Sequence, residues 1–154
     1  MGDSRAYLLH EGTLIRVTRD HSYVEELVDA GEITADEARV HPNRSVITRA
    51  LGSDPAMYAD HFTLHIEEGD RLILCSDGLS SMIPDSDIEN IATQSSSAQI
   101  CVDNLVDAAL AAGGHDNVTV VVVDLVDDAS CARQNASDAA MSPSPPSWPL
   151  SLCW

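Results

Sequence analysis

Arg71-Leu72-Ile73-Leu74-Cys75-Ser76-Asp77-Gly78-Leu79, residues 71–79, carries the decisive pattern of this chain. A short apolar run bounded by turn-forming residues reads as a buried strand, and Asp77 followed by Gly78 puts a carboxylate where the backbone must turn sharply at its end. Just upstream, Phe62, Leu64 and Ile66 alternate with Thr63 and His65, and Glu67 to Asp70 form a turn. Residues 62–66 and 71–75 are therefore predicted to pair as a hairpin.

Towards the N-terminus, Tyr7 to Leu9 and Thr13 to Val17 are short apolar or β-branched runs separated by His10, Glu11 and Gly12, which predicts another hairpin. Ser22 with Glu25, and Thr34 with Glu37, are capping-box pairs, so helices are predicted over about 23–30 and 35–39, the second stopped before Pro42. Towards the C-terminus, helices are predicted from Asp85, as its cap, to about Ala92, and over 98–112, where Gly113 and Gly114 end the periodicity. Val118 to Leu125 is almost continuously β-branched, the pattern of a strand covered on both faces. From 128 to 154 the chain turns to Ala, Ser, Asn and Asp and then to Pro143, Pro145, Pro146 and Pro149. That stretch is predicted to be a disordered tail, with an apolar end that suits a short docking peptide or has no role at all. No internal repeat is present.

Composition excludes several classes of function. The 154 residues hold 25 acidic and 8 basic side chains, a formal net charge of -17, which repels nucleic-acid phosphates and anionic membrane surfaces. No apolar run approaches the ~20 residues needed to span a bilayer, and Gly2-Asp3-Ser4-Arg5 lacks the basic start and apolar middle of a secretory signal. The expected location is cytoplasmic. Cys75 and Cys101 sit among apolar residues as buried thiols, and Cys131 and Cys153 lie in the tail; their spacing makes neither a zinc site nor a disulfide framework. The six histidines read as loop or surface residues.

Asp77 follows one strand, Asp116 in Gly113-Gly114-His115-Asp116-Asn117 precedes another, and Asp3 opens a third. Three carboxylates at strand ends of one sheet can converge on hard divalent cations, although each alone is as readily a cap or turn former.

Taken in order, Gly2-Asp3-Ser4-Arg5-Ala6-Tyr7-Leu8, Asp20-His21-Ser22, His41-Pro42 through Ile47-Thr48-Arg49-Ala50-Leu51-Gly52, Gly69-Asp70-Arg71 through Asp77-Gly78-Leu79, and Gly114-His115-Asp116-Asn117-Val118-Thr119 resemble the successive motifs of PPM-type (type 2C) protein serine/threonine phosphatases, in particular bacterial ones. The resemblance covers about residues 2–126. It implies an α+β fold, the C-terminal part of an αββα sandwich of two antiparallel sheets flanked by helices, with a phosphatase part at 1–127 and a flap at about 20–60. It further implies a binuclear Mg²⁺ or Mn²⁺ centre in which Asp77 and Asp116 hold one ion. Asp3 matches the acidic residue of a third, weaker site, and Ser45 a flap position near that third ion. Asn117 would support the loop presenting Asp116, and Arg5 its own turn. The implied substrates are phosphoproteins, the products of a serine/threonine kinase.

The chain departs from the family pattern in lacking its Asp-Gly-x-Gly-Gly-His stretch, which supplies further ligands, and with it the phosphate-contacting arginine and about half of both sheets. Met1 stands where the family has an apolar residue in mid-strand, which implies an internal start. The resemblance thus predicts a phosphatase inactive as this stretch alone; the alternative is a non-catalytic remnant or a phosphoprotein-binding module.

Overall fold

The structure, a computed structural model, describes residues 2–50, 52, 56, 58–61 and 63–126. The tail expected at 128–154, with Cys131 and Cys153, lies outside the described residues. Among the described residues nine elements follow in order: β1 (Arg5–His10), β2 (Thr13–Arg16), α1 (Tyr23–Asp29), α2 (Ala35–Val40), β3 (Arg71–Cys75), α3 (Asp77–Ser80), α4 (Asp85–Gln94), α5 (Ala98–Ala111) and β4 (Val120–Asp124). The strands form one antiparallel sheet in the order β2-β1-β3-β4. This agrees with the expected α+β class.

One face of that sheet is the core. Tyr7, Ile73 and Val122 are paired across the strands, and Cys75 and Val120 follow on the same face. They pack on Leu79, Ile83 and the inner stripes of α4 and α5, Ile88 and Ala92 with Cys101, Leu105 and Ala109. Spacings of three and four residues place each stripe on one side of its helix. Cys75 and Cys101 are free and buried, and burial pushes the Cys75 thiol up to about 11. They therefore behave as small hydrophobes, as expected. The α5 helix stops where Gly113 and Gly114 take positive φ and their N–H groups return to Leu110 O and Ala109 O.

The opposite face is open. Val121 on β4, Leu74 on β3 and Ile15 on β2 are 48%, 40% and 49% exposed. The expectation that Val118–Leu125 is covered on both faces is thus corrected: helices cover only the Val120 and Val122 side. The predicted 62–66 strand is also absent among the described residues, where 63–66 are exposed and without strand pairing. Both edges of β3 are already taken, by β1 and β4, so no ladder position remains for it. The turn itself does form: Glu67 N donates to Asp70 Oδ2, and Gly69 N and Asp70 O bond to Leu125. Two smaller corrections concern caps. Pro84, not Asp85, is the N-cap of α4, and the Ser22–Glu25 box is half made, because Glu25 pairs with Arg16 instead. The Thr34–Glu37 box is complete. No helix among the described residues is long and apolar enough to cross a membrane.

Two polar pairs hold the far end of the sheet. Arg71, buried on β3, makes a two-point ion pair with Asp124 of β4 (2.5 and 3.0 Å), and its Nη1 donates to Ala92 O and Ser95 O at the end of α4. One guanidinium thereby satisfies two carbonyls that the helix end leaves unpaired. His10 is a strand residue rather than a loop histidine, and its Nδ1 lies 2.7 Å from Asp70. Replacing Arg71 with Ala leaves Asp124 and both carbonyls without it, and we expect a loss of about 2–3 kcal/mol in urea unfolding.

The His10–Asp70 pair has a pH signature. Hydrogen bonding to Asp70 raises the His10 pKa, so its contribution is complete below the ordinary histidine value and disappears as pH rises through the raised one. The Glu67 N–H and then His10 lower the Asp70 pKa, so that contribution is complete above the ordinary aspartate value and is lost as pH falls through the lowered one. The stability advantage of wild type over His10→Gln should therefore be largest between those limits, near pH ~5–6, and shrink towards pH ~9, as read by thermal unfolding across that range.

Candidate metal centre

Antiparallel register brings the three predicted carboxylates to one end of the sheet. Arg5 pairs with Cys75 and Cys75 with Val120, so Asp3 before β1, Asp77 after β3 and Asp116 before β4 all lie beyond the same edge. The Asp77 and Asp116 loops are then locked together. Ser76 N donates to Thr119 O, Ser76 Oγ donates to Asn117 O at 3.1 Å and accepts from Thr119 N at 3.0 Å. Gly78 lies so close that a Cβ there would fall 2.3 Å from Asn117 O, which only glycine avoids. Asn117 supports the loop through its main chain, whose N–H also holds Asp116 Oδ1 at 2.7 Å.

Asp3 and Asp77 line a cleft of about 380 Å³ between the sheet end and the flap. The Asp3 carboxyl is raised above its ordinary value, first by burial and then by the negative charge of Asp77. Asp116 stands on the adjoining loop, exposed and outside the cleft lining. Ser45 is exposed on the 42–45 turn of the flap; it is Arg44, beside it, that lines the cleft. Among the described residues no group of three or more His, Cys, Asp or Glu side chains is arranged to hold an ion by itself.

The flap is rooted by contacts distant in sequence. Ser22 bridges Ile47, Thr48 N donates to His21 O, and His21 Nε2 lies 2.7 Å from Asp60, so His21 is not a solvent histidine. Arg5 does not anchor its own turn: its Nε and Nη2 grip the buried Asp20 carboxylate, at 2.7 Å from Nη2, while Nη1 reaches Tyr7 and Asp85. Burial opposes the Arg5 charge, and the Asp20 hydrogen bonds outweigh it, so its pKa is raised. Tyr7 donates to Asp85 at 3.0 Å, and burial raises its pKa. From α2, Arg39 donates to Ser80 O of α3, closing the far wall of the cleft.

Sequence reading did not single out Asp20, Asp85, Arg39 or Arg44 as part of the site. Asp20 sits inside a quoted motif, but nothing local couples residues 5 and 20. The donor set itself fits a hard divalent cation: oxygen ligands only, with the Asp3 carboxyl pKa raised by burial and then by the charge of Asp77, a strain that a cation relieves. Mg²⁺ keeps several waters and needs few protein ligands.

Comparison with known proteins gives consistent matches. A family model described as Stage II sporulation protein E (SpoIIE) matches residues 33–126. The serine/threonine phosphatase stp of Listeria welshimeri is 40% identical over 124 residues, 80% of this chain and 49% of that protein. The serine/threonine protein phosphatase PstP of Mycobacterium tuberculosis is 46% identical over 130 residues, 82% of this chain and 24% of that protein. A crystal structure of the PstP catalytic domain in complex with 2 manganese ions aligns with a TM-score of 0.73 at 41% identity, covering 82% of this chain and 52% of that one. The chain spans about half the length of the Listeria relative and about a quarter of the mycobacterial one.

The charge crowding at Asp3 has a measurable consequence. Because its folded pKa is raised, ionised Asp3 costs stability above that value, and Asp3→Asn should raise the thermal midpoint of the metal-free chain at neutral pH. Added Mn²⁺ should stabilise the wild type more than the variant, since only the wild type gains by losing the repulsion.

Proposed function

The chain belongs to the PPM-type protein serine/threonine phosphatases, and from that membership we propose that it contributes one side of the catalytic centre of a metal-dependent phosphatase acting on phosphoserine and phosphothreonine in proteins. The observation that carries this reading is the gathering of Asp3, Asp77 and the Asp116 loop at one sheet end beside a flap-walled cleft. Asp77 and Asp116 are assigned to one ion of a Mg²⁺ or Mn²⁺ pair, Asp3 to a weaker third site shared with Asp77, and Ser45 to the flap near it. The two manganese ions in the PstP structure support a binuclear centre.

Bound divalent cations would supply an activated water and neutralise charge on the phosphoryl oxygens. The chain's own residues do the rest. Asp77 and Asp3 offer oxygen ligands from a partly buried wall, and Ser76 with Gly78 holds the Asp116 loop against them. Arg5, through Asp20, ties the root of the flap to the strand that follows Asp3. Arg39 and Arg44 add positive charge to a cleft wall whose other arginines, Arg5 and Arg16, are paired with Asp20 and Glu25. The substrate class follows from the family: phosphoproteins generated by a serine/threonine kinase, met in the cytoplasm. The chain itself does not contain the family's Asp-Gly-x-Gly-Gly-His ligands, and in this reading turnover requires a half that carries them.

Calorimetry and phosphate release test this together. The chain as given should bind Mn²⁺ weakly and release no phosphate from a phosphothreonine peptide. Joined to a preceding half from a relative, it should hydrolyse the peptide only with Mn²⁺ or Mg²⁺, and Asp77→Asn or Asp116→Asn should each lower kcat by about 10²-fold or more. Equal hydrolysis with either aspartate replaced removes both from the metal centre, and metal-independent binding of the phosphopeptide without turnover would favour a binding module.

A further inference from the structure

We propose that Arg39 and Arg44, on the flap wall of the cleft, select among phosphoprotein substrates by binding an anionic group that flanks the phosphorylated residue, either an acidic side chain or a second phosphate. Such selection presupposes the phosphatase reading of the same cleft. Charge pairing singles out these two side chains. The chain has no lysine, and acidic side chains outnumber its arginines 25 to 8. With that excess an arginine readily finds a carboxylate, and Arg5, Arg16, Arg19, Arg49 and Arg71 each do. Among the described residues Arg39 and Arg44 are the arginines that form no ion pair, and both line the same cleft as Asp3 and Asp77. Asp36, one turn before Arg39 on α2, does not neutralise it; it stands in the first turn of its helix, where the helix dipole favours a carboxylate.

Arg39 is held at a defined distance from the metal-site carboxylates. Its Nη1 donates to Ser80 O at 3.3 Å, and its other guanidinium donors make no hydrogen bond to the described residues. Ser80 ends α3 and lies three residues on from Asp77, about 4.5 Å along the helix axis. An extended peptide advances about 3.3 Å per residue, so a phosphate carried towards ions at Asp77 brings its next one or two residues alongside Arg39. Arg44 is exposed on the turn that follows α2 and faces the same cleft. A carboxylate or phosphate there meets the planar fork of a guanidinium, which binds it at two points. The overall field acts in the opposite sense: a net charge of -17 disfavours an acidic peptide, so a preference for one can come only from cations local to the cleft. At about 0.1 M salt the Debye length is about 10 Å, so distant charges are screened while the direct contact persists.

Fluorescence anisotropy on the full chain with Mn²⁺ at about 0.1 M salt tests this with three labelled phosphothreonine peptides, whose neighbouring residues are alanine, aspartate or a second phosphothreonine. We expect the anion-flanked peptides to bind about 5- to 10-fold more tightly than the alanine peptide, the effect of two partly exposed ion pairs. A gain confined to one of them identifies the flanking group as carboxylate or phosphate. Arg44→Gln, at an exposed turn where the side chain makes no ion pair or hydrogen bond to the described residues, should lower that ratio about 3-fold. Arg39→Gln combined with Arg44→Gln should bring it to about one. Arg19→Gln removes the same charge from outside the cleft and should leave the ratio unchanged. In the chain joined to a preceding half from a relative, the ratio should reappear in KM for phosphate release. Equal binding of the three peptides, binding of none, or a ratio that survives the Arg39 and Arg44 changes overturns the proposal, whether or not phosphate is released. If the ratio and its loss in the variants stand while the joined protein releases no phosphate, the anion site holds and the phosphatase reading fails.

Discussion

The approach of Gly78 to the carbonyl of Asn117 is the constraint on which the site end of this molecule depends. No side chain fits between them, and the contact is held from either side by Ser76, whose backbone and hydroxyl both bond across to the 117–119 segment. That juncture joins the end of β3 to the start of β4 where two helices, α3 and α5, also meet the sheet. The position of Asp77 relative to Asp116 is therefore set by main-chain contacts, which vary far less than long side chains do.

At the opposite end the same two strands are tied by Arg71, which links Asp124 to the carbonyls that close α4. The sheet is thus pinned at both ends of its β3–β4 seam, with the apolar core between. Its helical face is complete, and the other face is not. A sheet with one dry side and one wet side is stable only as far as its single core allows.

The electrostatics of the cleft divide into paired and unpaired charge. Arg5 with Asp20 and Arg16 with Glu25 neutralise one another along the flap root, so these charges serve position more than chemistry. Asp3 and Asp77 lack such compensation, and the raised Asp3 pKa records the cost. The cation proposed for this site would relieve that repulsion.

Much of this was legible in the sequence because it is local. The capping box at Thr34, the stop at Gly113-Gly114, and the strand 71–75 ending in Asp77-Gly78 are each set by neighbours within a few residues, and the structure keeps them. Which carboxylates are candidates for the site was legible only through the ordered motifs, since an isolated Asp at a strand end is equally a turn former. Other features were decided by tertiary structure. The alternating 62–66 segment has strand pattern but no free edge to join, because β1 and β4 occupy both sides of β3. The β-branched run of β4 predicts burial on both faces, yet burial depends on what is present to cover it. Arg5 and Asp20 are 15 residues apart, and no spacing rule couples them; the antiparallel turn and the flap root bring them together. Period and propensity determine which elements form, whereas register and the number of available edges determine which residues meet, and only the folded chain contains that information.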